Sequence, residues 1–394
     1  IAYAFNRKTV VRAGIGRFIN RLGVSDSIFL GGNPPLQPAF SESNGIVDNP
    51  AGAGVTHTYP LNPTIQSNDF PNPESWAWNG TFQREVPFAT TIEIAYVGRK
   101  NLRSTRTINN INQLQVGAIY DPANFLPGTT KLANLDALRP YQGYGLLKEA
   151  VNNSNSVYNS LQLQVTRRFS KGLSFGLAYT YSQSKDNGTL TNVYDYTTTW
   201  GPWSSNKNLV INAIYEIPFF RNHANLLGKT LGGWSITSIS RVTEGSGQVS
   251  FTDPNDDIGI GGSGGTQYMI LNGNPLLPKD QRGFGLGNLY FNTKNPDGSS
   301  IVIEPAHGTY CKTGCARGIY VGTPWGQSHN LSFLKDFRIR GEQKKITFRG
   351  EIFNWLNHPD QGSPNTDWRS TSFGMVTSKS GNTREMQVSL RFSF

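Results

Sequence analysis

Met386-Gln387-Val388-Ser389-Leu390-Arg391-Phe392-Ser393-Phe394 closes the chain. Side chains of a strand alternate between two faces, so Met386, Val388, Leu390, Phe392 and Phe394 point one way and Gln387, Ser389, Arg391 and Ser393 the other. One face is wholly apolar, and the chain stops on an aromatic residue. Such a strand needs oil on one side and water on the other. Strands of roughly 9–11 residues, apolar outward and polar inward, build transmembrane β-barrels.

The composition fits this reading. Charged residues make up 16% of the 394, Gly numbers 43 and aromatics reach 12%, against about 25% charged residues in ordinary soluble domains. The balance points to an all-β protein with many turns. Mean hydropathy is −0.41, and no stretch approaches the roughly 18 uninterrupted apolar residues of a spanning helix. A barrel needs only every second residue apolar and passes this measure as a polar protein. The net charge of +10 is spread thinly, without a basic run, which argues against nucleic acid as a partner. The chain opens on Ile1-Ala2-Tyr3-Ala4-Phe5, strand-like and without Met, which predicts a continuation upstream.

Outward from the last strand, the same alternation recurs in pairs. Leu161, Leu163, Val165 and Phe169 oppose Gln162, Gln164, Thr166 and Arg168. After a three-residue turn at Ser170-Lys171-Gly172, Leu173, Phe175, Leu177, Tyr179 and Tyr181 repeat the pattern. Arg167 interrupts the apolar face near the turn, within reach of headgroups, and the two tyrosines lie at the opposite end, as an interfacial girdle requires. Residues 1–5, 9–18, 74–86, 88–98, 205–217, 231–243, 328–340 and 345–356 supply further strands, about 11–13 in all. Lys335 falls mid-strand on the apolar face of 328–340, where a lysine costs roughly 2–4 kcal/mol at the bilayer midplane; a bulge or a covering neighbour is expected.

Long polar connections are expected at about 19–73, 99–156, 184–204, 244–326 and 357–383, against short turns at 6–8, 87, 170–172 and 341–344. Outer-membrane barrels keep short turns in the periplasm and long loops outside. On that rule the last strand and residues 1–5 run in the same direction and cannot be closure neighbours. The chain is therefore expected to be the carboxy-terminal portion, residues 1–394, of one larger antiparallel transmembrane β-barrel.

Several segments also carry a family resemblance. Tyr158-Asn159-Ser160-Leu161-Gln162-Leu163-Gln164, then Arg167-Arg168-Phe169-Ser170-Lys171-Gly172-Leu173-Ser174-Phe175 and Tyr179-Thr180-Tyr181-Ser182, are similar to the Oar-like class of TonB-dependent outer-membrane receptors. So are Ala95-Tyr96-Val97-Gly98, Gly233-Trp234, and Leu331-Ser332-Phe333-Leu334-Lys335-Asp336-Phe337-Arg338-Ile339 leading to Phe348-Arg349-Gly350-Glu351-Ile352-Phe353-Asn354-Trp355-Leu356-Asn357-His358-Pro359. The resemblance implies a barrel of roughly 22 strands with an amino-terminal plug, the plug and the amino-terminal domains being expected outside this chain. It further implies a place in the bacterial outer membrane and energy-dependent import of a substrate held by external loops and lumen, with the TonB complex engaged through the missing amino-terminal region. Met386, Leu390, Phe392 and Phe394 resemble the terminal signal read by the barrel-assembly machinery. Outer-membrane lipids are the other expected partner; the transported substrate is not encoded in any motif. A passive porin is the main alternative, followed by an outer-membrane hydrolase and a soluble β-rich adhesin.

Gln162, Gln164, Thr166, Arg168, Arg349, Glu351, Gln387, Ser389 and Arg391 are the expected lumen lining, as wall residues first and substrate contacts second. No catalytic constellation stands out, and an enzyme is not expected. Gly261-Gly262-Ser263-Gly264-Gly265 has the letters of a nucleophile elbow and Gly259-Ile260-Gly261-Gly262-Ser263-Gly264 those of a dinucleotide fingerprint, but no helix pattern follows. Asp253, Asn255 and Asp257 space oxygens as calcium loops do, without the glycine and glutamate at the proper positions, so a solvated turn is preferred and no cofactor is expected. Cys311 and Cys315 are the only cysteines, and a small local disulfide in an oxidising external loop is expected over zinc shared with His307. His57, His223, His329 and His358 read as solvated surface histidines.

Overall fold

The computed structural model describes the chain apart from residues 22–29, 32, 34–60, 109, 189, 196–199, 220–225, 254–257, 263–265, 341–343 and 382. In chain order come β1 (Ala2–Asn6), β2 (Thr9–Ile19), β3 (Thr64–Gln66), β4 (Glu74–Val86), β5 (Thr90–Ile108), β6 (Lys148–Ser170), β7 (Leu173–Asp186) and β8 (Ser204–Glu216). A helix, α1 (Leu226–Leu231), precedes β9 (Trp234–Glu244). The two-residue strands β10 (Gln248–Val249), β11 (Ile270–Leu271), β12 (Val302–Ile303) and β13 (Ile319–Tyr320) follow, then β14 (Gly326–Arg340) and β15 (Lys344–Phe353). β16 (Asp360–Gln361), β17 (Lys379–Ser380) and β18 (Glu385–Ser393) complete the order.

One sheet runs β1-β2-β4-β5-β6-β7-β8-β9-β14-β15-β18, antiparallel at every step, with β3 attached in parallel to β6. Strands adjacent in this wall are also successive along the chain, once the small strands of the connections are passed over. The path has an odd number of alternating strands, so its edges β1 and β18 point the same way and the sheet is not closed.

Register sorts the side chains into two faces. Tyr3, Val11, Phe82, Ile94, Leu163, Tyr179, Leu209 and Val242 form a single apolar row across eight strands. On the other face, Arg12, Thr81, Ala95, Gln162, Thr180, Asn208 and Thr243 form a small or polar row. Leu161 is 50% exposed and Phe392 54% exposed. In a sheet-on-sheet sandwich these positions would lie under a second layer.

Several details differ from the sequence reading. Ser170 pairs with Leu173, so the turn has two residues, Lys171 and Gly172, both at positive φ (52° and 78°). That is the type I′ geometry whose twist matches the strands. Arg168 and Phe169 together oppose Ser174 in a bulge, so simple alternation does not set the face of Arg168. The strand expected from 88 starts at Thr90, because Phe88 and Ala89 (φ 67° and 53°) make the turn.

The expected loop 99–156 narrows to 109–147, as β5 and β6 remain paired up to Ile108 and Glu149. Asn, Ser and Thr fill much of this extension; backbone pairing continues where no oil demands apolar alternation. The expected loop 244–326 is not featureless either. Phe251, Phe291 and Ile301 are fully buried, packing with Val249, Met269, Val302, Ala316 and Val321 into a second core at the long-loop end.

Lys335 lies on the apolar face opposite Trp234, without a bulge, and is 1% exposed. Its cover is the end of α1: Nζ donates to the carbonyls of Thr230 and Gly232, each at 2.6 Å. The ammonium also lies 5.5 Å from the Trp234 ring centre and 4.8 Å from that of Phe337. A cation at a helix C-terminus satisfies carbonyls that the helix itself leaves open. The strand expected over 231–243 accordingly begins at Trp234, after Gly233 turns the chain at φ 74°.

Candidate functional site

The polar face carries matched charges. Arg12 donates to Gln83 at 2.7 Å and pairs with Glu93 at 3.7 Å. Asp336 accepts from Lys345 (2.7 Å) and Thr347 (2.6 Å), and Arg349 donates to Glu351 at 2.8 Å. Gln387, Ser389 and Arg391 stand opposite Glu351, Arg349 and Thr347. Gln162, Gln164 and Thr166 share this face further along the sheet, with the Gln162 amide donating to Ser160 at 3.2 Å. Solvated pairs of this kind contribute about 0–1 kcal/mol each, so their effect is to set the field along the wall more than to hold it.

At the long-loop end of this face lies a recess that the sequence did not announce. It comprises a cavity of about 460 Å³ and a neighbouring one of about 280 Å³, which share Gln327, Ser328 and Asp360. Arg241, Thr243, Ser328, Asn330, Phe353 and Glu385 reach it from β9, β14, β15 and β18; Asn354, His358 and Asp360 come from the segment after β15. That segment folds back because Asn354 and Asn357 both take left-handed backbone (φ 48° and 53°), a conformation asparagine tolerates. The Asn330 side-chain oxygen accepts the Asn354 N–H at 3.1 Å, Asn354 in turn accepts the His358 N–H at 2.9 Å, and Asp360 accepts the Gln327 N–H at 2.7 Å. One guanidinium, two carboxylates, amides, one imidazole and one phenyl ring therefore line a common space. The recess can donate and accept hydrogen bonds to a polar solute; among the described residues no cluster of three or more His, Cys, Asp or Glu is arranged to hold a metal ion.

The long connections pack on each other. Gly117 N–H donates to Ile258 O at 2.7 Å and Ile119 N–H to Gly259 O at 3.2 Å, joining the 109–147 connection to the one after β9. The Asn112 amide donates to the carbonyls of Tyr141, Tyr144 and Gly145 at 2.9–3.0 Å, knitting the first connection internally. The Tyr310 hydroxyl donates to the Asp195 carboxylate; burial first, and this bond second, hold the phenol above its ordinary pKa.

The tempting motifs resolve into this packing where they are described. Gly259, Gly261 and Gly262 all have positive φ, and a Cβ on Gly259 would meet the Tyr120 ring at 2.8 Å. Gly259 and Gly261 are closely packed and Gly262 is open; Ser263, Gly264 and Gly265 lie outside the described residues. Asp253 is 5% exposed, with its N–H bonded to Gln267 O, whereas Asn255 and Asp257 lie outside the described residues, as do His57 and His223. Cys311 and Cys315 form a disulfide with Cα atoms 5.5 Å apart, and His307 lies against Tyr120 instead of joining them at a metal. His329 pairs with the Gln327 side chain at 3.2 Å.

Residues 1–387 match the profile of the outer membrane beta barrel domain family. The chain belongs to that family. Membership places this two-faced sheet in the bacterial outer membrane, with its apolar face toward lipid. No curated protein matches the chain. Among solved structures it is similar to the outer membrane transporter YddB from Escherichia coli, at 11% identity and a TM-score of 0.42, covering 98% of this chain and 38% of that one. It is also similar to the FpvAI–pyocin S2 complex (12%, TM-score 0.40, covering 100% and 32%). The third is the ferric-catecholate import receptor Fiu from Escherichia coli K12, in its closed form (9%, TM-score 0.31, covering 100% and 44%). The chain spans less than half the length of each of these.

Proposed function

We propose that this family member is part of the wall of an energy-coupled importer of the Oar-like, TonB-dependent kind. Its long-loop end is external and its short-turn end periplasmic, following the loop-length rule. The observation that carries the proposal is the polar recess at the long-loop end, together with long connections that form a packed layer with its own core. A substrate first meets this layer, then the recess around Arg241, Asp360 and Glu385, then the lumen. Gln162, Gln164, Thr166, Arg349, Glu351, Gln387, Ser389 and Arg391 line its path. Met386, Leu390, Phe392 and Phe394 on β18 present the assembly signal, and the TonB complex acts through segments outside this sequence. A layer of packed connections at the long-loop end favours an importer over an open pore.

Full-length protein reconstituted into liposomes tests the choice. An importer with a blocked lumen is expected to give no more osmotic swelling in arabinose than empty liposomes. Fast swelling, scaling with protein content, would make the protein a passive porin instead.

A further inference from the structure

The apolar face ends in charge at the long-loop end. Arg17, Trp76, Lys100, Val157 and Lys185 follow one another across β2, β4, β5, β6 and β7 as direct cross-strand partners, in a single row. Their faces are those of Val11, Ile94 and Tyr179, so the row points outward, not into the lumen. Lys207 on β8 shares this face, opposite Tyr181. Tryptophans accompany the cations: Arg17 lies 5.8 Å from the Trp76 ring centre, Lys207 lies 6.0 Å from that of Trp325, and Lys185 sits 5.2 and 4.8 Å from those of Trp200 and Trp203.

On the lumen side Arg12, Lys345 and Arg349 each have a carboxylate, while Arg99 and Arg241 donate to Ser75 and Asn208. Outside, Glu74 serves both Arg17 and Arg103, at 2.5 and 2.6 Å, and Glu244 serves Lys207 at 2.6 Å. Among the described residues no carboxylate pairs with Lys100 or Lys185. Unmatched cations directly beyond an apolar belt, interleaved with tryptophan, fit the depth at which lipid headgroups carry phosphate. A merely solvated rim needs neither the excess of one sign nor its alignment along one row.

We propose that this outward row binds the phosphate groups of outer-leaflet lipid, with the Lys100 and Lys185 ammonium groups as the free ligands and Arg17 held toward them by Glu74. The proposal rests on the external assignment of the long-loop end. Its chemistry is tested in detergent, where leaflets do not exist; the assignment is tested separately by labelling a Thr129→Cys variant on intact cells with a membrane-impermeant thiol reagent.

Full-length protein stripped of lipid is titrated with a diphosphorylated glucosamine-disaccharide lipid, its dephosphorylated form, and inorganic phosphate. The diphosphorylated lipid is expected to bind tightest. At about fivefold per cation, the double variant Lys100→Gln, Lys185→Gln should weaken that binding roughly thirtyfold. Lys8→Gln with Lys131→Gln, an equal loss of charge elsewhere, should leave it unchanged. Heat-dependent electrophoretic mobility, which reports the folded barrel, is measured for each variant so that affinity is compared only between folded proteins. Equal affinity of the Lys100, Lys185 variant and the parent would overturn the proposal. So would indifference to lipid phosphate, or competition by inorganic phosphate at equal concentration, which would reveal a free-anion site.

Discussion

Replacing Phe251 by alanine is expected to open the layer at the long-loop end while leaving the wall standing. Phe251 is fully buried and packs edge-on against Phe291 and Phe373, with ring centres 5.4 and 5.8 Å apart. Phe373 and Phe291 are themselves 5.4 Å apart, so the three rings tie the connection before β14 to the one before β18. Truncating a buried phenylalanine costs about 3–5 kcal/mol, and each lost aromatic pair adds roughly 0.5–1.5 kcal/mol. A layer this small has little more stability than that to lose. The wall strands hold one another through backbone ladders that do not pass through Phe251. Limited proteolysis of the full-length variant in detergent should therefore give rapid cleavage within 244–326, with the heat-dependent mobility of the barrel unchanged. Cleavage no faster than in the parent would mean that the layer does not depend on this core.

Reversing the charge at Lys335 is expected to have the other large effect. The site offers two carbonyl oxygens and the faces of Trp234 and Phe337, all of which favour a cation. A carboxylate there meets the same carbonyls as a like charge and has no donor. An uncompensated buried charge costs about 3–5 kcal/mol, so Lys335→Glu should sharply lower the denaturant midpoint of the barrel or prevent its assembly. Lys335→Met separates charge from packing: it removes the donors but fills the space. Leaving a buried carbonyl unpaired costs about 1–3 kcal/mol, a loss expected to fall on α1 alone, seen as faster amide exchange over 228–233 with a nearly unchanged midpoint. A Glu variant as stable as the parent would show that this lysine is not held as described.

These two sites also mark where the sequence is legible. Leu163, Tyr179 and Phe392 declare their faces through an alternation that the bilayer imposes, so the wall and its two sides can be read residue by residue. Lys335 is visible as a violation of that rule. Its remedy is not, because Thr230 and Gly232 lie about a hundred residues earlier and act through backbone carbonyls, which carry no side-chain signature. The ladder over 101–108 and 148–156 escapes for the opposite reason: in water, nothing forces its side chains to alternate. Met269, Phe291 and Ile301 sit in apolar runs of about three residues, and Phe251 two after Val249, all separated by Gly, Asn and Asp and too short to carry a period; they meet only when the chain doubles back. Arg241, Asp360 and Glu385 come together by strand register and by the left-handed corners at Asn354 and Asn357. The Phe353–Pro359 run signals that the chain turns there, but not toward what.

The most direct test of the two-faced wall is the environment of six consecutive residues of β6, from Leu161 to Thr166. Single cysteines carrying a spin label, placed one at a time in full-length protein in lipid bilayers, report contact with dissolved oxygen and with a water-soluble nickel chelate. Labels at Leu161, Leu163 and Val165 are expected to be oxygen-accessible and chelate-protected, and those at Gln162, Gln164 and Thr166 the reverse, giving a period of two. Uniform accessibility along the six positions, or an alternation of the opposite phase, would contradict a wall that faces lipid with one side and the lumen with the other.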